Sequence, residues 1–223
     1  MEKRIAIYEF ESTLNSNEIV NRLLGFNFTK DSLSGFTLSK NEFKGIIFKH
    51  IKKTINTDIV ITPFGEELEN TTVDYAINDV KILGNELYIF NPSRSLAAFR
   101  NELLKALDFK CTISTKLIDL NYVIELLSSQ SKNTNVTNVE LYSYDLLDES
   151  RIKMIIESNK DLVQKSEKIF FDIKPKITKI GFEISLYNTD YFVEVSYKGI
   201  VKIKGDLIEK NIENEIFNII LNR

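Results

Sequence analysis

The sequence predicts an α+β fold, mostly antiparallel sheets with flanking helices, divided into two lobes. Apolar residues alternate with period two over residues 3–10, 72–90 and 180–204. These runs follow one another across hairpin-length turns instead of alternating one by one with helices. That order favours α+β over a doubly wound parallel sheet. Helical spacing is confined to a few segments set between or after the strand runs.

Residues 3–10 read as a first strand, Ile5 and Ile7 alternating with Ala6, Tyr8 and Phe10. A helix follows over 15–24. Asn15 and Glu18 make a capping box, Ile19, Val20, Leu23 and Leu24 share a face, and Gly25 is placed to end it. The polar stretch 27–41 reads as loop. Residues 43–51 favour a strand with Gly45 as a bulge, and 58–62 a short strand ended by Pro63. Residues 65–71, with Glu66, Glu67 and Glu69, read as an acidic solvated loop. Val73, Tyr75, Ile77, Val80 and Ile82 lead to Gly84-Asn85, a two-residue hairpin signal, and Leu87 and Ile89 resume the alternation. Ser93 is the expected cap of a helix that buries Leu96, Phe99, Leu103, Leu104 and Leu107. A strand over 109–115 follows. Asp119 then caps a helix carrying Leu120, Val123, Ile124 and Leu127.

The Ser/Asn/Thr-rich stretch 128–138 reads as a linker, which divides the chain into an α+β lobe, 1–130, and a β-meander plus helix lobe, 131–223. In the second lobe, 139–144 is expected as strand and 148–168 as helix, on the spacing of Ile152, Ile155, Ile156 and Val163. Residues 169–173 read as strand. A meander is expected over 180–187, 191–197 and 200–204, with turns at Asn188-Thr189-Asp190 and Lys198-Gly199. Asp206 and Glu209 form a capping box for a last helix burying Leu207 or Ile208, Ile212, Ile216, Ile219 and Ile220.

Hydrophobic residues make up 43% and charged residues 27%, enough apolar content to build a core, so disorder is a poor description of the whole. No apolar run approaches the roughly 18–20 residues that span a bilayer. The start, MEKRIAIYEF, has too short an apolar run for a signal peptide. A soluble, cytoplasmic protein with no membrane contact is the expectation. Cys111 is the only cysteine, so the chain holds no internal disulfide and no multi-cysteine zinc site. His50 is the only histidine, which removes the two-histidine metalloprotease helix. Neither a phosphate-binding Gly-x-x-x-x-Gly-Lys-Ser/Thr loop nor a dinucleotide Gly-x-Gly-x-x-Gly is present, and no cofactor is expected. Lys far outnumbers Arg, and Asn and Ile abound, a bias of A+T-rich genomes such as those of low-GC microbes and their mobile elements.

The formal net charge of -3 does not itself point to nucleic acid, so that question moves to local basic faces. One is Lys44, Lys49, His50, Lys52 and Lys53. It reads either as phosphate contacts or as a solvated edge strand whose lysines discourage edge pairing. Another is Lys174, Lys176 and Lys179 with Lys198, Lys202 and Lys204, interleaved with Tyr187, Tyr191, Phe192 and Tyr197. Lysines and aromatics on one sheet face track a backbone and stack bases; the alternative is buried aromatics and solvated lysines. Asp172-Ile173-Lys174 matches the local piece of one magnesium-dependent nuclease site, which also needs an upstream carboxylate such as Asp145 or Asp161. A Cys111–His50 nucleophile pair has no local support, and Cys111 is more simply a small core residue.

The stretch VDYAINDVKILGNELYIFNPSRSLAAF, with the later YFVEVSYKG, resembles the DNA-binding B subunit of the Kiwa antiphage defence system. The match is a hairpin ending in an apolar strand, a Phe-containing helix, and a late strand leading to Lys198. It covers about a quarter of the chain. The resemblance implies DNA binding, a protein partner, and no catalysis by this subunit, with Lys198 the one residue carried over.

The expected function is a non-catalytic binding or adaptor protein of a microbial defence or mobile-element system. DNA is its expected ligand, through Lys49, His50, Lys52, Lys53, Lys174, Lys198, Lys202 and Lys204, and another protein or further copies of itself its partner. The alternatives are a magnesium-dependent nuclease using Asp172 and Lys174, and a structural subunit without nucleic-acid contact. The last predicts an exposed apolar patch, with the C-terminal helix as its expected place.

Overall fold

The Asn15 side chain accepts from the Glu18 amide while the Glu18 carboxylate accepts from the Asn15 amide. This reciprocal cap starts α1 (Ser16–Gly25) as its sequence requires, and Ile19, Val20 and Leu23 are buried. Gly25 is the last helical residue, and Phe26 closes the end by donating to the Leu23 carbonyl. The computed structural model describes residues 1–42, 45–129, 134–143, 152–162 and 176–221. The fold is α+β with mostly antiparallel sheet. It divides into two compact units, Tyr8–Ser114 and Met1–Ile7 with Thr115–Arg223.

In the unit Tyr8–Ser114 the strands run β2 (Ser34–Glu42), β3 (Gly45–Ile61), β4 (Glu67–Leu83), β5 (Glu86–Phe90) and the second half of β1 (Glu2–Ser12), with β6 (Cys111–Thr115) also paired to β1. Phe36, Phe48, Val80, Leu87 and Ile89 form the sheet's share of the core. Phe99 and Leu103 of α2 (Ala97–Ala106) supply the helical share. Gly84 takes φ +56 in the expected β4–β5 hairpin.

Several expectations are corrected here. Residues 27–41 are not all loop, because β2 pairs with β3 over its whole length. The two predicted strands at 43–51 and 58–62 are one strand of 17 residues. The acidic segment opens β4, since Glu67 and Glu69 pair with Ile61 and Ile59. Gly45 is no bulge but the first residue of β3, at φ +118, where a Cβ would strike the Ile82 carbonyl oxygen. Ser93 does not cap α2, since its hydroxyl donates to Ser95 O and the helix starts after Leu96.

In the other unit the sheet runs β1 (first half), β11 (Ile200–Lys204), β10 (Thr189–Ser196), β9 (Lys176–Leu186), β7 (Thr134–Ser143) and β8 (Ile152–Glu157), every pair antiparallel. Ile5, Val201, Ile203, Val193, Phe182 and Ile180 point to one face and are buried. α3 (Leu120–Ser129), whose first amides Asp119 accepts as expected, packs on β7 and β9 and against α4 (Lys210–Leu221). α4 buries Ile212, Ile216, Phe217 and Ile220, so its apolar face is not the exposed patch. It starts directly after Glu209, past the Asp206 that was expected to cap it.

The linker expectation fails in part: Thr134, Asn135 and Val136 pair with β9. A bulge explains why this end of β7 escapes pattern reading. The register shifts between Val136 and Asn138, so buried positions change from Thr134 and Val136 to Val139 and Leu141. Residues 152–157 are strand, not helix, because Ile152, Met154 and Ile156 turn inward while Ile155 is exposed. The expected strand at 169–173 lies outside the described residues. No helix among the described residues is long and apolar enough to cross a membrane.

Candidate interaction surfaces

The basic residues of β3 divide by the period of two. Lys49 faces outward and pairs with Asp79, directly opposite on β4, at 3.3 Å. His50 turns inward and is 1% exposed, between the rings of Phe36 and Phe99, each with its centroid 5.4 Å away. Asn78 Oδ1 accepts from the Ser93 amide, which fixes the orientation of the carboxamide; its Nδ2 therefore donates to His50 Nδ1 at 3.4 Å. The imidazole proton then sits on Nε2 and is donated to Glu102 Oε2 at 2.9 Å. His50 is thus a satisfied core residue with no access to a phosphate, which corrects its expected place in a nucleic-acid face. Lys52 and Lys53 make no ion pair among the described residues. Cys111 is buried and has no ordinary nucleophile's environment, since burial raises its thiol pKa.

The lysines of the meander are largely neutralised by their own sheet. On the face away from the helices, Lys153, Glu140, Lys179, Glu194 and Lys202 come from five neighbouring strands and alternate in sign, with contacts of 3.1, 3.7, 3.9 and 3.2 Å in that order. Lys204 pairs with Glu2 at 3.7 Å, lies 5.9 Å from the Phe192 ring centroid, and adjoins a polar hollow containing Glu183 and Asp190. Lys202 and Lys204 share a face, as the strand period requires, but the carboxylates among them remove the basic character expected of it. Lys198 is different. It and Lys176 both lie over the partly exposed ring of Tyr197, at 5.5 and 4.4 Å from the centroid. Lys174 and the Asp172-Ile173-Lys174 triplet lie outside the described residues, as does Asp145. Asp161 is engaged by the Val136 amide. No group of three or more His, Cys, Asp or Glu side chains converges on a metal position among the described residues.

Within the charge row, burial raises the pKa of Glu140, but the Lys153 hydrogen bond and the charges of Lys179 and Lys153 outweigh it and hold the carboxyl below its ordinary value of 4.5. A depressed folded-state pKa means stability that is present above the unfolded pKa and is lost as pH falls through the folded one. Glu140→Gln should therefore destabilise at pH 7, and the gap to the unsubstituted chain should close as urea titrations move below about pH 4. An undiminished gap at pH 3 would show that the side chain acts through packing rather than charge.

The surface that pattern reading missed is the outer half of the β3–β4 hairpin. β2 pairs with β3 no further than Lys52, and β5 pairs with β4 no further than Asp79. Beyond those points the two strands pair with no other described strand, over a ribbon of roughly 30 Å, and Tyr75 near its base meets the Phe28 ring edge-on, 6.4 Å between centroids. Residues 54–77 are exposed apart from the half-buried Thr62. One face of the ribbon carries Ile55, Ile59, Ile61, Val73, Tyr75 and Ile77 together with Lys53, Thr57, Thr71, Glu69 and Glu67; Ile55 lies directly opposite Val73, while Lys53, Glu69 and Glu67 lie opposite Tyr75, Ile59 and Ile61. The other face carries Thr54, Asn56, Asp58, Asn70, Thr72 and Asp74, and adds Val60 and Leu68 near the turn. Phe64, at the turn, is 91% exposed. Residues 54–75 hold Asp58, Glu66, Glu67, Glu69 and Asp74 and no lysine or arginine. The signal for this ribbon was the period-two run Val73, Tyr75, Ile77 and, on the facing strand, Ile51, Ile55, Ile59 and Ile61 on the same face, with Lys53 and Thr57 between them and an acidic start to β4.

No family model matches the chain, and no curated protein matches its sequence.

Proposed function

We propose that this chain is a non-catalytic binding protein that joins a protein assembly through the β3–β4 ribbon. The observation that carries this is the group of large apolar side chains held exposed on one face of a ribbon whose outer part pairs with no other described strand. A two-stranded hairpin alone is marginal in water, and contiguous exposed apolar surface marks contact sites. Its carboxylates disfavour a phosphate backbone and suit a polypeptide surface. The Kiwa-type resemblance, in which a subunit works beside a partner protein without catalysing a reaction, agrees with this.

Nucleic-acid contact is a second reading, favoured by one observation: two ammonium groups flank the partly exposed Tyr197 ring, a small stacking platform with cations at its rim. One experiment separates the two. A photo-reactive amino acid at Ile59 or Phe64 should form polypeptide adducts in cells that make the chain, and the same probe at exposed Lys105 should not. Adducts at Ile59 should vanish with Ile55→Asp. Equal labelling at all three positions would end the ribbon reading. If, in parallel, low-salt gel shifts gave a salt-sensitive complex lost in Lys198→Ala, the binding role would pass to the Tyr197 platform.

A further inference from the structure

Resting on the ribbon reading, we infer that two copies of this chain pair through the outer edge of β3, antiparallel about a two-fold axis at Thr57. The edge is open from Thr54 to Ile61, because β2 ends its pairing at Lys52 and no other described strand takes its place. The Lys53 amide donates to the Leu33 carbonyl on the β2 side. By the alternation of the backbone, Ile55, Thr57, Ile59 and Ile61 also direct their N–H and C=O groups to that edge, while the even residues serve β4. A strand that copies itself about a perpendicular two-fold axis keeps its faces, so each residue opposes one of the same parity.

Two such registers fill the open edge. One is centred on Asp58 and sets that carboxylate opposite its own copy, which is destabilising. The other is centred on Thr57. It sets Asp58 opposite Asn56 of the second chain, Ile55 opposite Ile59, and Thr57 opposite Thr57. Charge selects this register, and in it about six backbone hydrogen bonds close the three central pairs. The opposite edge of the ribbon, on β4, carries Glu67, Glu69 and Asp74 and repels a copy of itself. Residues 54–61 hold a single charge, no proline and no lysine, so the usual devices that block edge pairing are missing from this edge alone. Pairing turns a marginal two-stranded ribbon into a four-stranded sheet with Ile55 and Ile59 of both chains side by side.

Sedimentation of the full chain at tens of micromolar should give about twice the 25.8 kDa chain mass. Thr57→Pro removes a donor that faces the edge and not β4, so it should halve the mass without loss of secondary structure by circular dichroism. A second measurement holds even if that variant folds poorly. In a Cys111→Ala background, Asn56→Cys with Asp58→Cys should form a disulfide-linked dimer under mild oxidation, whereas Asn56→Cys alone should not. A chain that stays at single mass throughout, or a dimer indifferent to Thr57→Pro that also fails to cross-link, overturns the self-pairing. If such a monomer still gives Ile59 adducts with a different polypeptide, the ribbon reading stands and only the second copy is wrong. If adducts are also absent, both are wrong.

Discussion

Phe182→Ala will lower the unfolding free energy by about 3–5 kcal/mol, the range for emptying a buried aromatic position. Phe182 is fully buried at the centre of β9. It lies opposite Val193 on β10 and Val136 on β7, so its ring is bounded by both neighbouring strands. Neither strand can collapse into the space without breaking its own register, which places the cost toward the upper end. Urea titration followed by far-ultraviolet circular dichroism measures it. A loss below about 1 kcal/mol would mean that α3 and α4 close over the gap, and the packing described for this sheet would be wrong.

His50→Ala is the second large effect, about 2–4 kcal/mol, because two costs add. Phe36 and Phe99 lose the ring between them, and the Asn78 amide and the Glu102 carboxylate lose their partner. His50→Leu keeps much of the volume and isolates the polar part, about 1–3 kcal/mol. Both are read from denaturation midpoints at constant slope. A phosphate-binding His50 would give the reverse: unchanged stability and weaker, salt-sensitive binding to DNA.

The parts of the fold that were legible in the sequence are those where one local signal decides the structure. Asn15 and Glu18 cap α1 because the box needs only four consecutive residues. Gly84 turns the β4–β5 hairpin because few other residues accept its backbone angle. The illegible parts depend on partners distant in the chain. Over residues 34–39 β2 offers Phe36 as its one buried hydrophobic side chain, and it is a strand because β3 lies beside it. Ile152, Ile155 and Ile156 fit a helix face by spacing, and only the pairing with β7 shows Ile155 turned away. The partners of the charged candidates were hidden for a related reason. Sequence shows Lys49, Lys202 and Lys204 as cations, but Asp79, Glu194 and Glu2 reach them across strands whose register no local pattern reveals. The ribbon was half legible: its strands were seen, but not that their neighbours stop short.

The exposed strand edge from Thr54 to Ile61 also has a consequence for synthesis. The run is rich in β-branched residues, and an edge that accepts one strand accepts a stray one as readily. High-level expression should therefore send part of the chain into deposits, and Thr57→Lys, which blocks edge pairing, should reduce them.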